Sequence, residues 1–268
     1  MDRLRTAVRE ALLKGEVMGV VGMILEEGTP KPHFFVKERM DELEKLTVGN
    51  IRYPLTAILL RIVRSDPEIR LGIVARGCDE RALVELIRNN QLSERQVRLF
   101  GVACTEEEAS TCKCAEPYPS SILMGDKVEP VSDGELLTSF EKMTEEERLN
   151  FWMGHFRKCI KCYGCRNICP LCFCQNCTLD EEELSQRGTI PPEIPIFHLI
   201  RALHMAERCI DCGLCEEACP AGIPLRTLYK KMREVVRSYF DFIPGLTKEG
   251  KGPLQYLGDG KFGERESS

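Results

Sequence analysis

Two stretches of this chain repeat one cysteine spacing. Cys159-Ile160-Lys161-Cys162-Tyr163-Gly164-Cys165-Arg166-Asn167-Ile168-Cys169-Pro170 and Cys209-Ile210-Asp211-Cys212-Gly213-Leu214-Cys215-Glu216-Glu217-Ala218-Cys219-Pro220 both read C-x2-C-x2-C-x3-C-P. Three thiols at two-residue steps wrap one face of a four-iron, four-sulfur cubane, and the fourth, carried away on a short turn of helix, ligates the cubane of the other block. The spacing therefore assigns Cys159, Cys162, Cys165 and Cys219 to one 4Fe–4S centre and Cys209, Cys212, Cys215 and Cys169 to a second. Pro170 and Pro220 turn the chain where each helical turn ends, and Gly164 and Gly213 let backbone approach the inorganic core. A pair of zinc ribbons also uses C-x2-C, but a zinc site closes with two such pairs, whereas each block here supplies a triple plus a fourth.

The 268 residues carry 15 cysteines, an odd number that rules out complete pairing within one chain. The first residues lead into an amphipathic pattern without an apolar signal core, so a cytoplasmic setting is expected, where thiols serve as metal ligands or redox groups. The apolar stretches Val17–Leu25 and Leu55–Leu60 fall far short of the roughly 20 residues that a bilayer span needs. Lys and Arg total 37 against 42 Asp and Glu, a net charge of −5 with no long basic stripe, which gives nucleic-acid binding little support.

Within a first domain over 1–139, residues Met1 to about Leu99 alternate helical and extended patterns, and Thr105 to Glu135 reads as loop, with the turn-prone Pro117-Tyr118-Pro119-Ser120-Ser121. Leu4, Val8, Ala11 and Leu12 stand at helical spacing; Val17–Leu25 reads as a strand; Phe34-Phe35-Val36 reads as a short strand or loop; Leu55, Ile58, Leu59 and Ile62 mark a helix face. Leu71–Ala75 reads as a buried strand, Gly77 as a turn and Asp79 as a cap. Ala82, Leu83, Leu86 and Ile87 mark the following helix, and Val97–Ala103 the next strand. Strand, helix, strand at this spacing predicts a parallel βαβ unit. The fold expected is an α/β amino-terminal domain followed by a mostly helical, dicluster ferredoxin-type domain over 140–243. That second domain opens with a capping box at Thr144–Glu147 and a helix burying Leu149, Trp152 and Phe156. A later helix carries Ile196, Leu199, Ile200 and Leu203 on one face, and Pro224 starts a last one buried through Leu225, Leu228, Met232, Val235 and Tyr239. The Gly- and Lys-rich tail, 244–268, lacks periodicity and is expected to lie over a partner or to be mobile.

Seven cysteines remain. Cys78, Cys104, Cys112 and Cys114 form an amino-terminal quartet. Two follow strand ends, which predicts near neighbours, and two lie on the next loop; together they suffice for a third centre, 4Fe–4S or zinc, or else pack as buried thiols. Cys172, Cys174 and Cys177 lie so close to the first block that they either add ligands or line the cluster. His33, His155, His198 and His204 read as packing or surface residues, and no nucleotide-binding fingerprint or catalytic motif is present. Lys158, Lys161 and Arg166 flank the first block, while Asp211, Glu216 and Glu217 flank the second. Positive neighbours favour the reduced cluster, so the first centre is expected at the higher potential.

Arg76-Gly77-Cys78-Asp79-Glu80-Arg81-Ala82, Gly101-Val102-Ala103-Cys104 and the double cysteine motif, in this order, resemble the beta-subunit family of coenzyme F-420 (deazaflavin) hydrogenases and dehydrogenases, which includes formate dehydrogenase beta-like subunits. The resemblance implies an iron–sulfur electron-transfer subunit of an anaerobic complex of hydrogenase, formate dehydrogenase or heterodisulfide-reductase type, with other redox subunits as partners; the sequence itself shows no catalytic acid, base or substrate pocket, and such a relay needs none. It also implies a cluster near Cys78, Cys104, Cys112 and Cys114. Members that reduce the deazaflavin hold FAD on a Gly-rich segment near the amino terminus. Here the corresponding stretch, Val17–Leu25, has only Gly19 and Gly22, which makes an FAD-containing subunit that exchanges electrons with a deazaflavin or NAD(P)H the second expectation.

Overall fold

The computed structural model describes residues 1–49, 51–131, 134–186, 194–246 and 252–255. The chain divides into two compact units, Met1–Ser132 with Ile168–Phe173, and Asp133–Asn167 with Cys174–Ser268.

The first unit is an α/β layer. It runs α1 (Asp2–Leu13), β1 (Gly19–Glu26), β2 (Thr29–Phe35), β3 (Leu46–Thr47), α2 (Leu55–Ser65), β4 (Leu71–Ala75), α3 (Gly77–Arg88), β5 (Val97–Gly101) and α4 (Glu106–Cys112). The sheet order is β2-β1-β4-β5, with β3 also paired to β1. β4 runs parallel to both β1 and β5, so β4-α3-β5 is the expected parallel unit, while β2 is antiparallel to β1. Leu4, Val8, Ala11 and Leu12 of α1 are buried against Val20, Ile24, Phe35 and Phe100, one stripe of a 3.6-residue repeat meeting one face of the sheet.

The hairpin is longer than the sequence pattern indicates. Glu27 and Gly28 both take positive φ, the two-residue turn that matches strand twist, and β2 extends from Thr29 rather than Phe34. Pro30 and Pro32 are tolerated because β2 is an edge strand with one side free of the ladder. In α2 the buried positions are Leu55, Thr56, Leu59, Leu60 and Val63, leaving Ile58 and Ile62 half-buried. Asp79 is not the first cap of α3. Arg76 holds that position, and the Asp79 carboxylate accepts the Arg76 backbone N–H at 3.0 Å from the third helical residue. Beyond β5, where the sequence reads as loop, Thr105 and Glu108 form a capping box and Glu106–Cys112 is helical; after it the chain passes over the carboxyl ends of the parallel strands. A Cβ at Gly101 would meet the Ser121 carbonyl at 1.8 Å, and one at Gly77 the Glu116 and Tyr118 carbonyls at 2.6 Å. Only glycine lets this loop seat there.

The second unit is helical: α5 (Gly134–Lys142), α6 (Glu145–Phe156), α7 (Gly164–Asn167), α8 (Ile196–Met205), α9 (Leu214–Glu217) and α10 (Leu225–Phe240). Thr144 caps α6 as expected, accepting the Glu147 N–H at 3.2 Å while Glu147 accepts the Thr144 N–H at 2.7 Å. Phe156 and Leu225 are buried as expected, but in each of three helices burial departs from the apolar pattern. Leu149 is exposed, and α6 buries Phe156, with Trp152 half-buried in a ring cluster with Phe140 and Phe151. In α8 the face bearing Ile196, Leu199 and Leu203 is exposed, whereas Phe197, His198, Arg201, Ala202 and Met205 are buried. In α10 Leu225, Thr227, Tyr229 and Val236 are buried, and Val235 and Tyr239 lie exposed. The expectation for the tail falls largely outside the described residues; within them, the Leu254 N–H donates to Glu207 at 2.7 Å.

His198 is a packing residue. Its ring stacks on Phe156 at 4.4 Å between centroids, and burial, helped by the charge of Arg201, lowers its pKa from 6.5 to about 4. A base depressed on folding supplies stability that is present above its unfolded pKa and lost as pH falls from 6.5 toward 4. Between pH 7 and pH 5 this side chain is expected to cost about 2 kcal/mol. In denaturant titrations, His198→Phe should flatten that part of the pH profile.

Candidate metal centres

The second unit builds two matching loops. Lys161 and Tyr163 take positive φ in the first, and Asp211 and Gly213 take it at the same motif positions in the second. Glycine thus stands at the left-handed position only in the second loop. In the first, Tyr163 adopts it, and Gly164 one residue later provides close packing, since a Cβ there would lie 3.2 Å from the Ala218 carbonyl. These turns aim backbone donors at sulfur: Lys161 N–H to Cys159 Sγ at 3.4 Å, Gly164 N–H to Cys162 Sγ at 3.5 Å, and Asp211 N–H to Cys209. The third thiol of each triple, Cys165 or Cys215, is buried on the short helix α7 or α9.

Cys159 has as its thiol neighbours Cys165, Cys162 and Cys219, the set assigned to one centre from the interleaved spacing. Cys215 faces Cys212, Cys209 and Cys165. Burial pushes the Cys159, Cys209 and Cys215 thiols up, and the surrounding thiols or Asp211 push the same way. A donor set of closely grouped, protonated thiols with N–H groups pointed at sulfur fits an electron-rich iron–sulfur core, which takes thiolates and releases their protons on binding. Cys169 lies with Cys172 in the segment grouped with the first unit, where the Phe173 carbonyl accepts from Arg64 at 2.8 Å. Cys174 and Cys177 belong to the second unit.

Two of the six charges expected to separate the two centres, Asp211 and Arg166, each meet an opposite charge. Asp211 meets Arg226 through Nε at 2.7 Å and Nη2 at 3.2 Å, and Lys230 at 3.4 Å, while Arg166 pairs with Asp180 at 2.7 Å. This narrows the contrast on which the ordering of potentials rests. Sequence reasoning missed Arg201. It is buried in α8, donates through Nη2 to the Cys165 carbonyl at 2.6 Å, lies over the Tyr229 ring at 5.7 Å, and faces Cys209 and Cys215.

In the first unit Cys78 opens α3, Cys104 follows β5, and Cys112 and Cys114 flank the left-handed Lys113 at the end of α4. Cys104 faces both Cys112 and Cys114, and Arg81 reaches Cys114 Sγ at 3.9 Å while also facing Cys78. The two strand-end thiols, expected to be neighbours, share Arg76. Among the described residues no three His, Cys, Asp or Glu side chains are gathered tightly enough to hold a single metal ion. Burial first, with Asp79 adding, pushes Cys78 up to about 12; burial likewise pushes Cys104 up to about 12 against the pull of Arg76. A thiol raised on folding supplies stability that is present below its unfolded pKa of 9.0 and lost as pH rises toward 12. Metal-free protein is therefore expected to lose about 2 kcal/mol between pH 8 and pH 10, most of it through the more deeply buried Cys78. Urea unfolding of wild type and Cys78→Ala at the two pH values measures it.

The glycines of β1 do not form a cradle for FAD. A Cβ on Gly19 would strike the Phe34 ring at 2.2 Å, and one on Gly22 would touch Leu46, Phe35 and Val74 at 3.3 Å, so both faces are filled by side chains. A separate small cleft of about 30 Å³ lies beside Met23 of β1 and the ends of β3 and β4, lined in part by Thr47, Tyr53, Arg76 and Asp79. No helix among the described residues is long and apolar enough to cross a membrane.

Paired cysteine loops of this kind define an iron–sulfur protein with a ferredoxin-type segment, the class that moves single electrons. A family model described as a 4Fe-4S binding domain matches residues 203–224. The chain is also 38% identical over 143 residues to the F420-dependent formate dehydrogenase subunit beta of Methanocaldococcus jannaschii, covering 52% of this chain and 38% of that protein. It is 35% identical over 167 residues to the F420-dependent formate dehydrogenase 1 subunit beta of Methanococcus maripaludis, covering 58% and 43%. The chain thus spans under half the length of the curated relatives it matches. The family resemblance seen in the cysteine and glycine motifs and the similarity to these proteins agree.

Proposed function

We propose that this chain is an electron-transfer subunit of a cytoplasmic oxidoreductase complex, of hydrogenase, formate dehydrogenase or heterodisulfide-reductase type, passing single electrons between partner subunits. In this reading Cys159, Cys162, Cys165 and Cys219 hold one 4Fe–4S centre, and Cys209, Cys212, Cys215 and Cys169 hold another. The observation that carries it is the grouping of Cys219, from the second motif, with the first three thiols of the first. When bound, such centres supply one-electron reduction and oxidation. The chain's own residues exclude water by burying Cys159, Cys165 and Cys215, donate N–H groups to sulfur, and place the guanidinium of Arg201 beside both triples. The quartet Cys78, Cys104, Cys112 and Cys114 is the candidate third centre, supported by the shared neighbours Arg76, Arg81 and Cys114.

The test is quantitation of iron, acid-labile sulfide, zinc and flavin in anaerobically purified protein. About eight irons per chain are expected from two cubanes, and about twelve if the quartet carries a third. Zinc in place of iron would overturn the reading. Stoichiometric FAD would turn attention to the cleft beside Arg76 and Asp79, since the β1 glycines are filled.

A further inference from the structure

We propose that Cys174 and Cys177 form a redox-active dithiol that exchanges with external disulfides, an assignment that rests on the two-cluster reading above. The pair is a Cys-x-x-Cys outside both cluster motifs, with the chain bending at Gln175 and Asn176 between the two thiols. Both are free, Cys174 exposed and Cys177 half-buried. Each has its own guanidinium. Arg208 Nη1 donates to Cys174 Sγ at 3.7 Å, and Arg166 hydrogen-bonds Cys177.

The two arginines are placed tellingly. Arg208 immediately precedes Cys209, the first thiol of the second motif, and Arg166 immediately follows Cys165, the third thiol of the first. Each thiol of the pair is thereby tied to the loop of a different centre, so the dithiol sits alongside both one-electron sites. Each sulfur is thus held in place by its own guanidinium, with Cys174 open to an incoming disulfide.

The exposed Cys174 is the attacking thiol. Its sulfur bonds to one sulfur of the external disulfide, whose S–S bond breaks and releases one thiolate. Cys177 then attacks the mixed disulfide at Cys174, forming the Cys174–Cys177 bond and releasing the second thiolate. The external disulfide has gained two electrons and the pair has lost two. Restoring the dithiol takes two electrons and two protons, and reduced iron–sulfur carriers supply those electrons one at a time.

Anaerobic protein of measured iron content would be treated with hydroxyethyl disulfide in one arm and with insulin, a protein disulfide, in the other. It would then be alkylated and mapped by mass spectrometry. A Cys174–Cys177 disulfide is expected in at least one arm and not in untreated protein, and the arm that reacts identifies the source of the substrate. Reductive titration with reduced methyl viologen should then consume two more electrons per chain in the disulfide-treated wild type than in Cys174→Ser/Cys177→Ser, whose iron content should match wild type. Loss of iron in the double variant would overturn the proposal by showing the pair to be ligands. Intact iron with no disulfide in either arm would overturn it too. An iron-free wild type would instead overturn the cluster reading, and the disulfide map would still decide the dithiol.

Discussion

Cys215→Ala is expected to bind about half the iron of wild type, roughly four atoms per chain in place of roughly eight. The side chain is buried at the start of α9 and faces Cys209 and Cys212, so under the proposed two-cluster assignment its loss removes a ligand from one triple. Cys159, Cys162, Cys165 and Cys219 all remain. Losing one of four thiolates weakens the hold on a cubane, and alanine brings no replacement donor. The visible charge-transfer absorbance should fall by about the same factor, and the magnetic coupling between two reduced centres should vanish from the EPR spectrum. The loss should also reach the fold. α9 packs on α7, where Gly164 lies under the Ala218 carbonyl, and binding free energy in such a site is folding free energy. Anaerobic iron and sulfide assays beside thermal unfolding measure both effects. Full iron retention in Cys215→Ala would remove this thiol from the ligand set.

How much of this was legible beforehand depends on what held each element. The repeated cysteine motif was legible as it stands, and the structure brings Cys219 into the neighbourhood of Cys159, Cys162 and Cys165. β4, α3 and β5 were readable because their apolar runs are bounded by Gly77 and Cys104. β2 was hidden by Pro30 and Pro32, which argue against a strand everywhere except at an edge. The helices of the second unit misled for a different reason. Hydrophobic periodicity assumes that the most apolar face goes inward, yet α8 turns Arg201 and His198 inward and leaves Ile196, Leu199 and Leu203 exposed. The interior beside α8 is lined by cysteine loops whose carbonyls need donors. Arg201 meets that need at Cys165, and Phe156 receives the His198 ring. A pattern that ranks side chains by hydropathy has no way to register a polar interior of this kind.

That buried guanidinium gives the second large expectation. Arg201→Met should lower the reduction potentials of both centres by several tens of millivolts while leaving the iron content near wild type. Arg201 is fully charged at any accessible pH, lies 3% exposed, and faces thiols of both motifs, Cys165 through its carbonyl and Cys209 and Cys215 through space. Reduction adds a negative charge to a cluster, so a fixed positive charge beside it stabilises the reduced form. A unit charge acting at this scale through an effective dielectric of about 20 contributes about 1–2 kcal/mol, which for one electron is about 40–90 mV. Methionine keeps the length and fills the space over Tyr229 but carries no charge, so packing loss stays small beside the electrostatic change. Arg201→Lys separates charge from shape, because it keeps the positive charge and loses the planar fork that bonds the Cys165 carbonyl. Its potentials should return most of the way to wild type. In EPR-monitored redox titrations, a purely structural Arg201 would leave the midpoint potentials of both variants where they are in wild type. A tuning Arg201 moves them in Arg201→Met and restores them in Arg201→Lys. Because the same cation faces both triples, the two potentials should fall together and their order should persist.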